Sequence, residues 1–277
     1  MRLTVLVDNN TLIDKYCLAE PGLSFFLEED GRRFLFDSGY SDVFMQNAAK
    51  LGVDLMDLDG VILSHGHNDH VWGLVPLVKA YTEGRSFGRD VGRPGLYACP
   101  EAFLPKRMGV LNIGYLLGPD RLNDVFHVME VREPLALSDR LVLLGPIPRV
   151  MDFEGKRPLG EAFLDGQWTG DYLMDDTALA YVSDQGLVVV TGCSHSGICN
   201  IVDYARKVCH VDRVHAIIGG FHLQHSDPAL LEKTMQYLAS VGVDVVYPCH
   251  CTDLQAKLYL GKELALKEVG AGLVVEF

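Results

Sequence analysis

The chain has no stretch approaching the roughly 20 apolar residues that a membrane-spanning helix needs. Its first residues lead straight into Leu3-Thr-Val-Leu-Val7, too short for the apolar core of a secretion signal. A cytoplasmic protein with no membrane partner is expected. Positive charge is scarce as well: 24 Lys and Arg stand against 37 Asp and Glu, a formal net charge of −13. Sequence-independent binding to nucleic acid draws on a cationic surplus that displaces counterions from phosphates, so nucleic acid is not an expected partner. A small anionic substrate remains compatible, because metal ions and a few arginines can make a cleft positive inside a negative molecule. Cysteine is sparse and odd in number, seven in all with five inside 193–251, which suits reduced thiols near a site better than a disulfide framework. No internal repeat or low-complexity tract is present. With 277 residues and 48% hydrophobic content, the chain can bury a large core as one domain, 1–277, and nothing in it specifies an oligomeric state.

What the sequence does have is histidine concentrated in one place. Residues 64–70 read Ser-His-Gly-His-Asn-Asp-His, directly after the apolar run Gly60-Val-Ile-Leu63. Imidazole and carboxylate are the usual ligands of first-row metals, and a turn at a strand end can aim several of them at one point. His65 and His67, two apart, share one side of an extended segment, and Asp69 and His70 follow where Gly66 and Asn68 let the chain turn. One ion can hardly take all four from so short a loop without strain, which favours two ions. Two further histidines sit in comparable turns, His195 in Gly192-Cys-Ser-His-Ser-Gly197 and His250 in Pro248-Cys-His-Cys251. They complete three ligands per ion: His65, His67 and His195 on one, Asp69, His70 and His250 on the other. Each ion then keeps an open position, as catalytic sites require.

Period and punctuation predict strands over Leu3–Asp8, Leu23–Glu28, Arg33–Asp37 and Val61–Ser64, the middle two joined by a hairpin at Glu29-Asp30-Gly31. A helix over Ser41–Leu51 is expected, with Ser41 as N-cap and Gly52 just past its end. The second half alternates strand and helix: Gly186–Thr191, Ile198–Val208, His215–Gly219, Pro228–Val241, Val243–Tyr247 and Thr252–Glu268. Each of the three strands ends in a histidine-bearing turn, and ligands at the carboxyl ends of adjacent strands converge. Residues 84–170 are less regular and are expected to hold a lid or insert. Within them 84–95 is the flexible candidate, with Arg85, Arg89 and Arg93 spaced every four residues.

His65-x-His67-x-Asp69-His70 after a hydrophobic strand resembles the signature of the metallo-β-lactamase superfamily, and Phe36-Asp37-Ser38-Gly39 resembles its Phe-Asp-Thr-Gly turn. The resemblance implies an α/β (α+β) fold, a four-layer αββα sandwich with metals at one edge. Five further segments resemble a narrower branch, the proteins named for dihydropterin-ribofuranosylaminobenzene 5′-phosphate synthase. They are Gly145-Pro-Ile-Pro-Arg149 with Glu154, Asp175-Asp-Thr-Ala-Leu179, Gly192 to Gly197, Gly219-Gly-Phe-His-Leu223 and Pro248-Cys-His-Cys-Thr252, so the likeness runs from about residue 3 to 275. Ser38 replaces the usual Thr, and Asp253 stands where a Gly commonly follows. Many members of the superfamily bridge their two metals with an aspartate after Gly, whereas this chain has Gly192-Cys193 with His195 two residues on. Either Cys193 takes the bridging position, or His195 serves alone and Cys193 lies behind it. Asp175 or Asp176 stands where an earlier histidine ligand is expected.

These readings lead to an expected hydrolase with two divalent ions, zinc first and manganese or iron as alternatives. A metal-bound hydroxide, acidified to a pKa near ~7, would attack a phosphoester, phosphodiester or related anionic small molecule. Asp69 would orient the hydroxide and His222 would serve as proton donor or substrate contact. Arg149 is the candidate for the substrate's anionic group, in competition with an ion pair to Glu154. Asp37, ending a buried strand, is expected to fix the tautomer of a ligand imidazole. The alternative the resemblance implies is the branch's synthase reaction at the same site. A second alternative is a non-hydrolytic di-iron redox protein or metal-binding sensor. His127, His210, His215 and His225 are expected to be surface or core residues, and Cys249 and Cys251 to serve in packing.

Overall fold

The computed structural model describes residues 1–277. Two sheets stack face to face because strands such as Gly186–Thr191 are apolar on both sides. Leu187 and Val189 point toward an outer helical layer, while Val188 and Val190 point toward the other sheet, the period of two that a pleated strand imposes. One sheet has the order Val274–Glu276, Arg2–Val7, Ser24–Glu29, Arg32–Phe36, Gly60–Ile62, Gly95–Ala98 and His127–Glu130. The other runs Val245–Cys249, Val214–Gly220, Gly186–Thr191, Ala178–Ser183, Leu141–Leu143 and Leu135–Ala136.

Phe25, Phe36, Ile62, Leu143, Val190 and Ile218 fill the space between the sheets. Helices Val43–Leu51 and Leu74–Ser86 cover the first sheet through Phe44, Ala48, Leu77 and Tyr81. Ile198–Cys209, Pro228–Val241 and Leu254–Leu260 cover the second through Ile201, Ala205, Leu238 and Leu260. Burying each such large side chain stabilises the fold by about 1.5–3 kcal/mol. The result is the expected four-layer αββα sandwich. No helix is long and apolar enough to cross a membrane, and all seven cysteines are free thiols.

Several local expectations hold. Asp30 and Gly31 both adopt positive φ, 50° and 73°, the tight hairpin turn that links Ser24–Glu29 to Arg32–Phe36. Gly52 closes its helix in the left-handed region, at φ 72°. Ser41, by contrast, is not the expected N-cap: the helix begins at Val43 with Asp42 in that position, and Ser41 Oγ accepts from the Val43 amide at 3.2 Å from one residue earlier.

Elsewhere the structure departs from expectation. The helix predicted over Thr252–Glu268 spans only Leu254–Leu260, because the chain beyond it pairs with a sheet edge. Val246 donates its amide to Ala265 O and accepts from the Lys267 amide, both at 2.9 Å. Asp253 caps this shorter helix by accepting from the Ala256 amide at 2.8 Å, a role that a glycine there lacks. Helix Leu74–Ser86 was not anticipated, although Leu74, Leu77 and Tyr81 recur at helical spacing and Pro76 sits in the tolerant first turn. Finally, 84–95 is not a free lid. Arg85 donates to the carbonyls of Gly92 and Val125, and Arg93 to those of Phe126 and Asn123, pinning the segment to the neighbouring backbone. What stands apart within 84–170 is a small sheet ordered Gln167–Gly170, Glu161–Leu164, Lys106–Met108 and Leu111–Asn112. It leans on the histidine loop, where the Asn68 amide donates to Ile113 O at 2.8 Å.

Candidate metal centre

Strands Arg32–Phe36, Gly60–Ile62 and Gly95–Ala98 run parallel in one sheet, as do Gly186–Thr191, Val214–Gly220 and Val245–Cys249 in the other. The residues that follow them are Asp37, the 63–70 loop, the 192–197 turn, His222 and His250, so one edge of the sandwich collects them all. The backbone is unusual there. Asp37, Ser194, His222 and His250 have φ between 50° and 61°, a region sparsely populated by residues with side chains and concentrated at functional sites. Two glycines allow the close approach. A Cβ on Gly66 would lie 2.1 Å from the Ala102 carbonyl oxygen, and one on Gly192 would lie 2.1 Å from Ser64 Oγ.

Four overlapping trios of possible ligands gather at this edge, and the two without Cys193 form separate groups. In the first, His65 Nε2 lies 3.1 Å from His67 Nδ1, and the His195 ring sits 4.7 Å and 4.8 Å from those of His65 and His67. His195 Nε2 is buried and has no hydrogen-bond partner, a state that normally costs free energy unless an ion or water takes the lone pair. In the second, His250 Nε2 lies 3.3 Å from Asp69 Oδ2 and 3.2 Å from His70 Nε2. Two nitrogens bound tetrahedrally at the usual zinc distance are separated by about 3.3 Å. The donor set and its spacing therefore fit a divalent ion in each group. Cys193 Sγ, 3.1 Å from His70 Nε2, lies within ligand reach of both His65 and His70, and so touches both groups.

The electrostatics separate the two groups. Burial, reinforced by the neighbouring imidazoles, holds His65 and His195 well below the ordinary histidine range, and burial pushes His67 down to about 4. Neutral imidazole is the form that binds metal. Burial would lower His250 too, but its bond to Asp69 and the charges of Cys251, Asp69 and Asp8 raise it to about 9. Asp69, despite partial burial, is drawn well below the usual carboxylate range by His70 and His250. The second group thus favours positive charge beside its carboxylate.

Outer contacts orient these rings. His70 Nδ1 donates to Asp37 Oδ2 at 2.6 Å, and Asp37 also accepts from the Ser64 amide and hydroxyl. Asp8 accepts from the His250 amide, and Asn9 Oδ1 lies 2.8 Å from His250 Nδ1. Asp176 is not in either group: its Oδ2 accepts from the amide and hydroxyl of Ser196, and burial raises it to about 6. Asp175 Oδ2 accepts from the Gly66 amide at 2.7 Å. His222 packs its ring 4.4 Å from that of His195 and is half-buried.

Arg149 is placed differently from the expectation. Its guanidinium donates to the carbonyls of Tyr172 and Leu173, and no ion pair to Glu154 forms. Glu154 instead accepts from the Cys199 and Asn200 amides at the start of helix Ile198–Cys209. His215 pairs with Asp244, and His225 is exposed. Cys249 packs in the core, whereas Cys251 Sγ accepts from the His222 amide and lies within ligand reach of Cys193 and His250. Sequence reasoning missed Asp8, Asn9, Ser64 and the buried Lys106. Only Asp8, just after an apolar strand as Asp37 is, carried a signal. A cleft of about 340 Å³ opens on His67, Asn68 and Asp69, walled by Pro21, Tyr40, Met108, Ile113 and Leu159.

Residues 18–85 match the profile of the metallo-β-lactamase superfamily. The chain is 30% identical to 7,8-dihydropterin-6-methyl-4-(β-D-ribofuranosyl)-aminobenzene-5′-phosphate synthase of Methanocaldococcus jannaschii, over 94% of this chain and 90% of that protein. Among solved structures it is similar to Tm1679, described as a metal-dependent hydrolase of the β-lactamase superfamily. The identity is 31% and the TM-score 0.84, over 100% of this chain and 99% of the other. The metallo-β-lactamase fold protein YhfI of Bacillus subtilis, at 14% identity and TM-score 0.60 over 100% and 99% of the two chains, shares the fold.

Proposed function

The chain belongs to the metallo-β-lactamase superfamily, and from that premise we propose that it is a two-metal enzyme that hydrolyses a phosphoester, phosphodiester or related anionic small molecule. The observation that carries this reading is the pair of three-residue groups, each with ligand atoms within 4.8 Å of one another, joined through Cys193. His65, His67 and His195 would hold one ion, and Asp69, His70 and His250 the other. When bound, two divalent ions, zinc by preference for imidazole and thiolate, supply Lewis-acid stabilisation of charge on phosphate oxygens.

The chain's own groups do the rest. Asp37 holds the proton of His70 on Nδ1 and keeps Nε2 free. Asp69, with 29% of its side chain exposed at the cleft floor, orients the attacking group. His222, half-buried beside His195, moves a proton to the leaving oxygen from its ring nitrogen. The cleft walls at Tyr40, Met108, Ile113 and Leu159 exclude water around the bound substrate.

A second reading is a synthase reaction of the kind named for the methanogen relative. It is favoured by the extent of that likeness, 94% of this chain. Both use the same ions and cleft. The metal-loaded protein should be offered chromogenic phosphomonoesters and phosphodiesters in parallel with the pterin and ribofuranosylaminobenzene phosphate precursors. Release of free phosphate or alcohol from the esters supports hydrolysis. Joining of the pterin pair without ester turnover supports the synthase. Turnover of neither, by protein carrying both ions, would sink the enzyme reading.

A further inference from the structure

Lys106 is 1% exposed, on the small sheet that walls the cleft, and its Nζ donates to Asp171 at 2.8 Å and Asp175 at 3.1 Å. So deep a charge does not reach substrate. Its effect passes to the metal loop instead. The second oxygen of Asp175 takes the amide of Gly66, the residue between His65 and His67. The next residue, Asp176, takes the amide and hydroxyl of Ser196, the neighbour of His195. The third, Thr177, donates its amide to Ser64 O at 2.9 Å. Three consecutive residues thus grip the backbone on both sides of His65 and on one side each of His67 and His195. Gly66 is also packed tightly against Ala102, whose carbonyl oxygen would lie 2.1 Å from a Cβ there.

We propose that Asp175 and Asp176 form a two-armed clamp that positions His65, His67 and His195 for the first ion, and that Lys106 is the positioning residue that anchors the clamp. The inference rests on the two-ion reading above. Asp171 completes the anchor: its other oxygen accepts from the Leu173 amide at 2.8 Å, fixing the turn that leads into the clamp. A buried ion pair is weak evidence of stability, since desolvation offsets much of its attraction, and its better-attested use is to fix one geometry. The second group has its own supports, Asp37, Asp8 and Asn9, none of which touches Lys106. The clamp therefore bears more directly on the first ion than on the second.

The test measures zinc affinity by competition with a chelating dye in two backgrounds, His250→Ala, which keeps the first group, and His67→Ala, which keeps the second. Into each go Lys106→Met and the charge-compensated Lys106→Met/Asp171→Asn. The compensated pair decides the matter if the single variant does not fold, because it removes one carboxylate charge along with the ammonium. Expected is a roughly 10–100-fold loss of zinc affinity in the first background. In the second, the affinity should stay within about threefold. An accompanying change in the visible spectrum of the cobalt-substituted first group is also expected. Equal losses in both backgrounds, or an unchanged first affinity in the folded compensated variant, would overturn the proposal. Failure of the native chain to bind a second ion would instead overturn the reading on which it rests.

Discussion

His70 Nδ1 and Asp37 Oδ2 lie 2.6 Å apart with both side chains fully buried. Asp37 accepts from Ser64 as well, so the carboxylate is locked and the imidazole must carry its proton on Nδ1. That leaves the Nε2 lone pair facing His250 and Cys193. Asp37→Ala frees the ring to rotate and to change tautomer. Affinity for the second ion should fall roughly 10–100-fold in zinc titrations with the first group intact. An unchanged affinity would show that Asp37 merely shapes its turn.

His67→Ala removes one of three nitrogens from the first group. Metal content should drop by one ion per chain and turnover of whichever ester or pterin pair the native chain accepts should be lost with it, as elemental analysis and a rate assay on the same sample would report. Retention of both ion and rate contradicts the ligand assignment.

Asn200 is fully buried and bonds three backbone groups: its Oδ1 accepts from the Val150 and Met151 amides, and its Nδ2 donates to Ser196 O. Asn200→Ala leaves those groups unpaired and should destabilise the protein by about 2–4 kcal/mol. The shift would appear in the denaturant midpoint, with metal content under native conditions unchanged. A loss below about 0.5 kcal/mol would mean that water replaces the side chain.

Glu154, bonded to the Cys199 and Asn200 amides, supplies a pH dependence of its own. Burial raises its carboxyl from an ordinary 4.5 to about 7, against the pull of the Asn200 and Cys199 amides. Between those values the folded state holds a proton that the unfolded state has released. Its contribution is thus fully present below about pH 4.5 and is lost as pH rises through about 7, a change on the order of 3 kcal/mol. Glu154→Gln keeps an acceptor for the amides and removes the titration. In metal-free protein the unfolding free energy of the native chain should decline more steeply from pH 5 to 7 than that of the variant. Parallel profiles would rule this out.

Individual strands were legible from continuous apolar runs such as Leu187–Val190 and from turn residues such as Asp30 and Gly31, whereas the sandwich followed from the likeness of the 65–70 motif to the superfamily. The clustered histidines were legible for a similar reason: His65, His67, His195 and His250 all stand in turns just after apolar strands. Where sequence reading fell short, the deciding contacts were long-range. Nothing near Arg149 in sequence reveals that its guanidinium meets carbonyls 23 and 24 residues away. Helix 254–260 stops early because Val246, on a strand edge, offers pairing to 265–267. Lys106 was invisible altogether, since its partners lie 65 and 69 residues on.

The measurement that bears most directly on the two-ion centre is metal content per chain, by elemental analysis after zinc loading and removal of excess, for the native chain, His67→Ala and His250→Ala. Two ions in the native chain and one in each variant, with no ion left when both substitutions are combined, is the expected result. One ion in the native chain, or two retained after either substitution, would contradict it.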